Sequence, residues 1–285
     1  MKYKILANGV KMPIIGLGIY EAQPDKCEET INLAINKYGY RMIDTAQAYF
    51  NEEFVGNALQ KTNIKRKDIF ITTKVWVSNF GYNNTMFSIS KSLKKLQTNY
   101  IDLVLIHQPY GDYYGSWKAL EVLYKKGIIR AIGVSNFEPD RLVDFCLNVE
   151  IKPVVNQIEL HPLRQRTVDI EWANKYGVAV QSWASLGRQA DQIMKNPVLL
   201  ELANKYQKTV PQIILRSLVQ QDIIVIPKTV TESRLQENID IFDFEINNED
   251  MQKIKALNEN KTLFHYHSDP NTVEKIHSRF PELKR

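Results

Sequence analysis

Between residues 14 and 238 the chain repeats one pattern eight times: a short aliphatic run, then a stretch whose apolar residues recur at helical spacing. The runs are 14–19, the run ending at Asp44, then 69–74, 101–107, 129–135, 154–157, 178–183 and 223–226. They are nearly continuous in β-branched and aliphatic residues. That is the composition of strands buried on both faces of a parallel sheet. The helical stretches follow at 24–39, from Glu52 onward, at 88–96, 117–126, 139–147, 168–176, 198–206 with 210–220, and 232–238. Eight right-handed βα units close most simply into an α/β (β/α)8 TIM barrel. A chain of 285 residues with no Pro/Gly/Ser-rich linker is read as one such domain, residues 1–285, with a tail near the barrel mouth. Asn8-Gly9 between two short apolar runs predicts an N-terminal β-hairpin with a type I′ turn.

A doubly wound dinucleotide fold is the main competitor, prompted by Gly16-Leu-Gly18. The third glycine of that fingerprint is Glu21, and the helix begins only after Pro24, so the fingerprint fails. The excess of 37 basic over 32 acidic residues is small, and the lysines are scattered. Nucleic-acid binding is therefore not expected, although a weak positive field favours an anionic ligand. Cys27 and Cys146 lie far apart in helical patterns, which predicts neither a disulfide nor a metal site. His265 and His267 lack the spaced partners a metal needs. No apolar run approaches a membrane span or a secretory h-region, so the expectation is a cytoplasmic protein without a membrane partner.

In a closed parallel barrel the C-terminal strand ends converge on one mouth, where catalytic groups sit. Those ends here carry Asp44 with Tyr49, then Lys74, His107, Ser135-Asn136, Gln157 and Trp183. Singly, an Asp after a strand is a cap, a His structural and a Lys a solvated end. Together they form a proton-handling set. A free phenol has a pKa near about 10. An ammonium about 4 Å away, at an effective dielectric near 20, would lower it by up to roughly three units, with burial opposing. Asp44 would hold Lys74 charged, His107 would orient a substrate oxygen, and Tyr49 would protonate a developing alkoxide as general acid.

Several stretches carry a resemblance from end to end. They are Met12-Pro-Ile-Ile-Gly-Leu-Gly18, Asp44-Thr-Ala followed by Tyr49 and Asn51-Glu52, Thr73-Lys74-Val-Trp76, Tyr100-Ile-Asp-Leu with Leu-Ile-His107, Gly133-Val-Ser-Asn-Phe137, Asn156-Gln-Ile-Glu with His161-Pro162, and Ile226-Pro-Lys228 with Arg234 and Glu237-Asn238. In order and spacing the chain resembles the aldo-keto reductase family, and within it bacterial-type aldehyde/keto reductases similar to 2,5-diketo-D-gluconate reductases. The resemblance implies reduction of aldehydes and ketones with NADPH, by an Asp-Tyr-Lys-His tetrad that maps onto Asp44, Tyr49, Lys74 and His107. It implies that Ser135, Asn136 and Gln157 hold the carboxamide of the cofactor and that Trp183 stacks on the nicotinamide, where core packing is the blander role for a Trp. It further implies Lys228, Thr229, Arg234 and Asn238 around an adenosine 2′-phosphate and Glu237 on the adenine side. Gly18 and the segment Leu186, Gly187 and Arg188 join the cofactor set, the last three near the pyrophosphate. Preference for NADPH over NADH follows.

Tyr20, Phe50 and Trp76 are the expected aromatic walls of the substrate pocket. Gln108 stands where the family often has Trp, which disfavours bulky apolar substrates. Ala184-Ser185 replaces a frequent Ser-Pro, so the loop after Trp183 is expected to run differently. The His/Tyr-rich segment 263–270 either lines a pocket for polar carbonyls or anchors the tail. Two other functions stay open. One is a catalytically weak NADPH-binding regulatory or interaction protein, which would have no need of the acid Tyr49. The other is a phosphate-handling barrel lyase or isomerase, which leaves Tyr49 and Trp183 unexplained. The partner expected in the main case is a small-molecule carbonyl, bound by a monomer or weak homo-oligomer.

Overall fold

The structure, a computed structural model, describes residues 2–278; the ends of the expected 1–285 domain lie outside that range. An antiparallel hairpin of β1 (Tyr3–Ile5) and β2 (Lys11–Pro13) comes first. Its turn differs from the expected type I′. Gly9 N–H donates to Leu6 O at 2.8 Å, and of the Asn8-Gly9 pair only Gly9 has positive φ, at 83°. A type I′ turn needs both central residues at positive φ. The extra loop residues let Asn8 keep ordinary backbone angles, and its side chain reaches Arg130 O at 3.0 Å instead.

Eight parallel strands follow: β3 (Leu17–Gly18), β4 (Met42–Asp44), β5 (Phe70–Val75), β6 (Leu103–Ile106), β7 (Ile132–Ser135), β8 (Val155–Glu159), β9 (Ala179–Trp183) and β10 (Ile224–Val225). Each pairs with the next in sequence. The two ends of this sheet meet. Val225 N–H donates to Ile14 O and Gly16 N–H to Val225 O, both at 2.9 Å, and Gly18 N–H reaches Pro227 O at 3.2 Å. The sheet thus curls until its first strand hydrogen-bonds the last, as the eightfold repeat predicts. Nearly every strand residue is buried, which explains the unbroken apolar runs.

The helices wrap the outside, their apolar stripes turned to the sheet. Two begin well before the expected positions, at Tyr82 rather than 88 and at Tyr113 rather than 117. The second is opened by Asp112, whose Oδ1 accepts the Gly115 N–H at 2.8 Å. That carboxylate is an N-cap, masked in the sequence by the aromatic pair Tyr113-Tyr114 behind it. Helices at Asn248–Lys255 and Pro270–Ser278 extend the chain past the barrel, the latter returning to the mouth.

Candidate active site

Parallel register sets the floor of the mouth. Asp44 pairs with Gly18 across one strand boundary and Thr72 across the next, Ser135 with Gln157, Gln157 with Gln181, and Glu159 with Trp183. Lys74, one residue before the end of β5, is fully buried beneath the cleft. Its Nζ donates to Asp44 Oδ1 at 2.5 Å, to Thr45 O at 2.8 Å and to the Tyr49 hydroxyl at 3.4 Å. Asp44 Oδ2 accepts from Gln157 Nε2 at 2.8 Å, and the same nitrogen donates to Gln181 Oε1. Three acceptors around the ammonium and donors on both carboxylate oxygens are what a buried ion pair needs to remain charged. Burial pushes the Asp44 carboxyl up and the Lys74 ammonium down, each opposed by the other's charge.

Tyr49 is delivered by a short 3-10 turn, Gln47–Tyr49. Gln47 pins that turn to the end of β5 by accepting from Trp76 N–H at 3.1 Å and Asn79 Nδ2 at 2.8 Å. The expected lowering of the Tyr49 pKa does not occur. Burial, then the charge of Asp44, holds it well above the usual phenol value. Desolvation dominates, and the ammonium, held closer to the Asp44 carboxylate than to the phenol, does not offset it. Tyr49 therefore keeps its proton until a stronger base than phenolate lies beside it. His107 has its pKa well below the ordinary imidazole value through burial, then through Lys74 and His267. It is a neutral ring, set edge-on to Trp76 and Tyr49 with centroids 4.9 and 5.7 Å away. Such a ring offers one N–H donor and carries no charge.

Asp44, Tyr49 and His107, but not Lys74 beneath them, line a cleft of about 800 Å³ together with Gly18, Tyr20, Phe50, Trp76, Gln108, Ser135, Asn136, Gln157, Trp183, Leu186, Arg188, Lys228, Thr229 and Arg234. Trp183 is held by its Nε1–H donating to Asn136 Oδ1 at 2.9 Å, and Asn136 Nδ2 donates to His107 O at 3.1 Å. Ser135 Oγ–H donates to Gln157 O at 2.8 Å. Phe50 is 83% exposed, so it stands at the rim rather than forming an inner wall. Arg188 pairs with Glu21 at 3.1 Å and lies over the rings of Tyr20 and Phe264. Gly187, Glu237 and Asn238 are not on the lining. A Cβ on Gly187 would strike Ile193 and Leu263, and Asn238 is buried in its helix.

Lys228 and Arg234 share one end of the cleft with the start of the helix Glu232–Ile239, whose Thr231 makes no side-chain cap. Neither cation has an ion-pair partner among the described residues. Two unpaired cations beside an uncapped helix N-terminus fit the phosphates of a nucleotide cofactor.

The sequence profile of the Aldo/keto reductase family matches residues 15–259. The chain belongs to the aldo/keto reductase family. Glyoxal reductase of Bacillus subtilis (strain 168) is 45% identical over 260 residues, 90% of this chain and 93% of that protein. An aldo-keto reductase from a Medee basin deep-sea metagenome library superposes with a TM-score of 0.91 at 38% identity, covering 93% of this chain and 98% of that one. An aldo-keto reductase complexed with NADPH, the same reductase as one solved from the silkworm, Bombyx mori, gives 0.88 at 31% identity, covering 93% and 90%.

The segment 263–270, expected either to line a pocket or to anchor the tail, does both in this aldo/keto reductase: Phe264, His265 and His267 are on the cleft lining, and Ile276, which was not foreseen, joins them. Its anchor is Glu159, at the end of β8. Glu159 accepts from Thr262 Oγ1 at 2.7 Å, Leu263 N–H at 2.9 Å and Arg164 at 2.5 Å, and meets His161 Nε2 at 3.0 Å. Although burial opposes it, these partners hold its carboxyl down at about 2. Glu159 lies two residues past the run expected to end at Gln157, and its tail partners are 103 and 104 residues away, which no local pattern reveals.

Proposed function

We propose that this aldo/keto reductase reduces small aldehydes and ketones to alcohols with NADPH, Tyr49 serving as the general acid. The buried Asp44–Lys74 pair beneath the Tyr49 hydroxyl supports this most directly. When bound, NADPH supplies a hydride to the carbonyl carbon. The chain's own residues do the rest. His107 donates to the carbonyl oxygen and sets it beside Tyr49. As negative charge grows on that oxygen, the Tyr49 proton moves to it and the alcohol forms. The phenolate left behind is stabilised by Lys74, whose Nζ already lies 3.4 Å away, and Asp44 keeps Lys74 charged without touching substrate. Ser135, Asn136 and Gln157 position the carboxamide, Trp183 stacks on the nicotinamide, and Lys228, Thr229 and Arg234 hold the phosphates.

The B. subtilis relative is named for glyoxal, a 1,2-dicarbonyl, which favours small oxygenated carbonyls as the substrate class here. The same proposal takes the chain as a single domain acting in the cytoplasm as a monomer or weak homo-oligomer. One continuous hydrophobic cluster through the barrel and its helices supports the single domain, and no helix among the described residues is long and apolar enough to cross a membrane. Steady oxidation of NADPH with methylglyoxal or propanal is expected. NADPH binding without turnover on any small carbonyl would favour a regulatory, non-catalytic role instead.

A further inference from the structure

Gln108 follows His107 directly in the chain, so its Cα lies about 3.8 Å from that of the residue placed against the reacting oxygen. Its side chain is on the cleft lining yet only 8% exposed. Among the described residues nothing hydrogen-bonds its amide, and Oε1 is fully buried without a partner. This contrasts with the other amides of the mouth. Asn136 bonds Trp183 and His107, and Gln157 bonds Asp44 and Gln181. A buried oxygen left without a donor is costly, and Nε2, which has no partner among the described residues, keeps its N–H free on a residue of the cleft lining. The Nε2–H donates, so a second oxygen on the substrate, carbonyl or hydroxyl, accepts from it, and a hydroxyl can also donate to Oε1.

We propose that Gln108 is a specificity-determining residue, which hydrogen-bonds an oxygen on the carbon next to the reacting carbonyl. It thereby selects carbonyls oxygenated at that carbon over simple aldehydes of the same length. The inference rests on the reductase function proposed above. Trp76 and Trp183 present rings to the cleft, and His107 is committed to the reacting oxygen. A site built to bond a substrate oxygen discriminates strongly against the analogue without one, because its own polar group is then left unpaired.

The test compares methylglyoxal with propanal, three-carbon aldehydes that differ at the second carbon. kcat/KM with NADPH is measured for the wild type, for Gln108→Met, which keeps the length and removes the amide, and for Gln108→Leu as a second variant. NADPH titration by Trp fluorescence reports whether each variant is folded. Taking the ratio of the two substrates within each protein cancels their differing intrinsic reactivity. The methylglyoxal-to-propanal ratio is expected to fall about tenfold or more in both variants. A ratio within about twofold of wild type, with both substrates still reduced, overturns the role of Gln108 and leaves the reductase function standing. Failure of the wild type to oxidise NADPH with either aldehyde overturns both.

Discussion

At the scale of single residues, the site works by cancelling charge everywhere except where the reaction needs it. Asp44 neutralises Lys74, His107 is uncharged, and Glu21 offsets Arg188. Among the described residues, Lys228 and Arg234 are cations on the lining without an ion-pair partner. They are therefore expected to carry the preference for NADPH. Hydrogen bonds to charged groups contribute about 1.5–3 kcal/mol each, so Lys228→Ala or Arg234→Ala should weaken NADPH about tenfold to a hundredfold. NADH, without the 2′-phosphate, should weaken far less. Fluorescence titrations of both cofactors read the ratio directly, and an unchanged NADPH/NADH ratio would show that the phosphate sits elsewhere. Tyr49, Lys74, Asp44 and His107 were all legible in the sequence because each ends or closely follows a barrel strand. The sign of the Tyr49 shift was not, because it is set first by how deeply the phenol is buried and then by the charge of Asp44 beside it.

At the scale of elements, the tail is the part that local pattern could not place. Strands and most helix ends follow from apolar spacing, but the segment after Asn258 is tied down by contacts a hundred residues away. Glu159 grips Thr262 and Leu263, and Tyr110 donates to His267 O at 2.7 Å. The result buries His267, with its pKa pushed down to about 3 by desolvation and by His265, Arg164 and Arg166. An unfolded His titrates near about 6.5. Between those values the unfolded chain binds a proton at this site that the folded chain does not, so stability rises with pH across the window and is lost as pH falls below about 6.5. Removing that one titration should lower the slope of unfolding free energy against pH by up to about 1.4 kcal/mol per unit. Urea melts of His267→Gln and wild type between pH 4 and about 6.5 test it. Parallel slopes would mean the tail opens before the ring is protonated.

At the scale of the whole molecule, the barrel depends on its seam. β3 is only two residues long, and the ring is completed by a few hydrogen bonds between residues 14–18 and 225–227. Gly18 sits at this seam with its Cα against the opposite backbone. A Cβ there would lie 2.7 Å from Ile226 O, while its φ is not in the left-handed region, so the demand is for space rather than conformation. Gly18→Ala should cost about 1–3 kcal/mol. Calorimetry should show Tm lower by about 2–4 °C for each of those kcal/mol. An unaltered Tm would indicate a seam loose enough to part. The eightfold repeat made the closed sheet predictable, whereas the shortness of the closing strand arises from the pairing itself.

The proposed reaction turns on a phenol that holds its proton until an alkoxide forms beside it. Replacing Tyr49 by Phe removes that proton and almost nothing else. The account predicts that Tyr49→Phe binds NADPH with a Kd within about twofold of wild type, as read by Trp fluorescence. Its kcat for methylglyoxal should fall by at least about a hundredfold, the lower end of what a general acid contributes. Turnover within about tenfold of wild type, with NADPH binding intact, would contradict the assignment of Tyr49 as the acid.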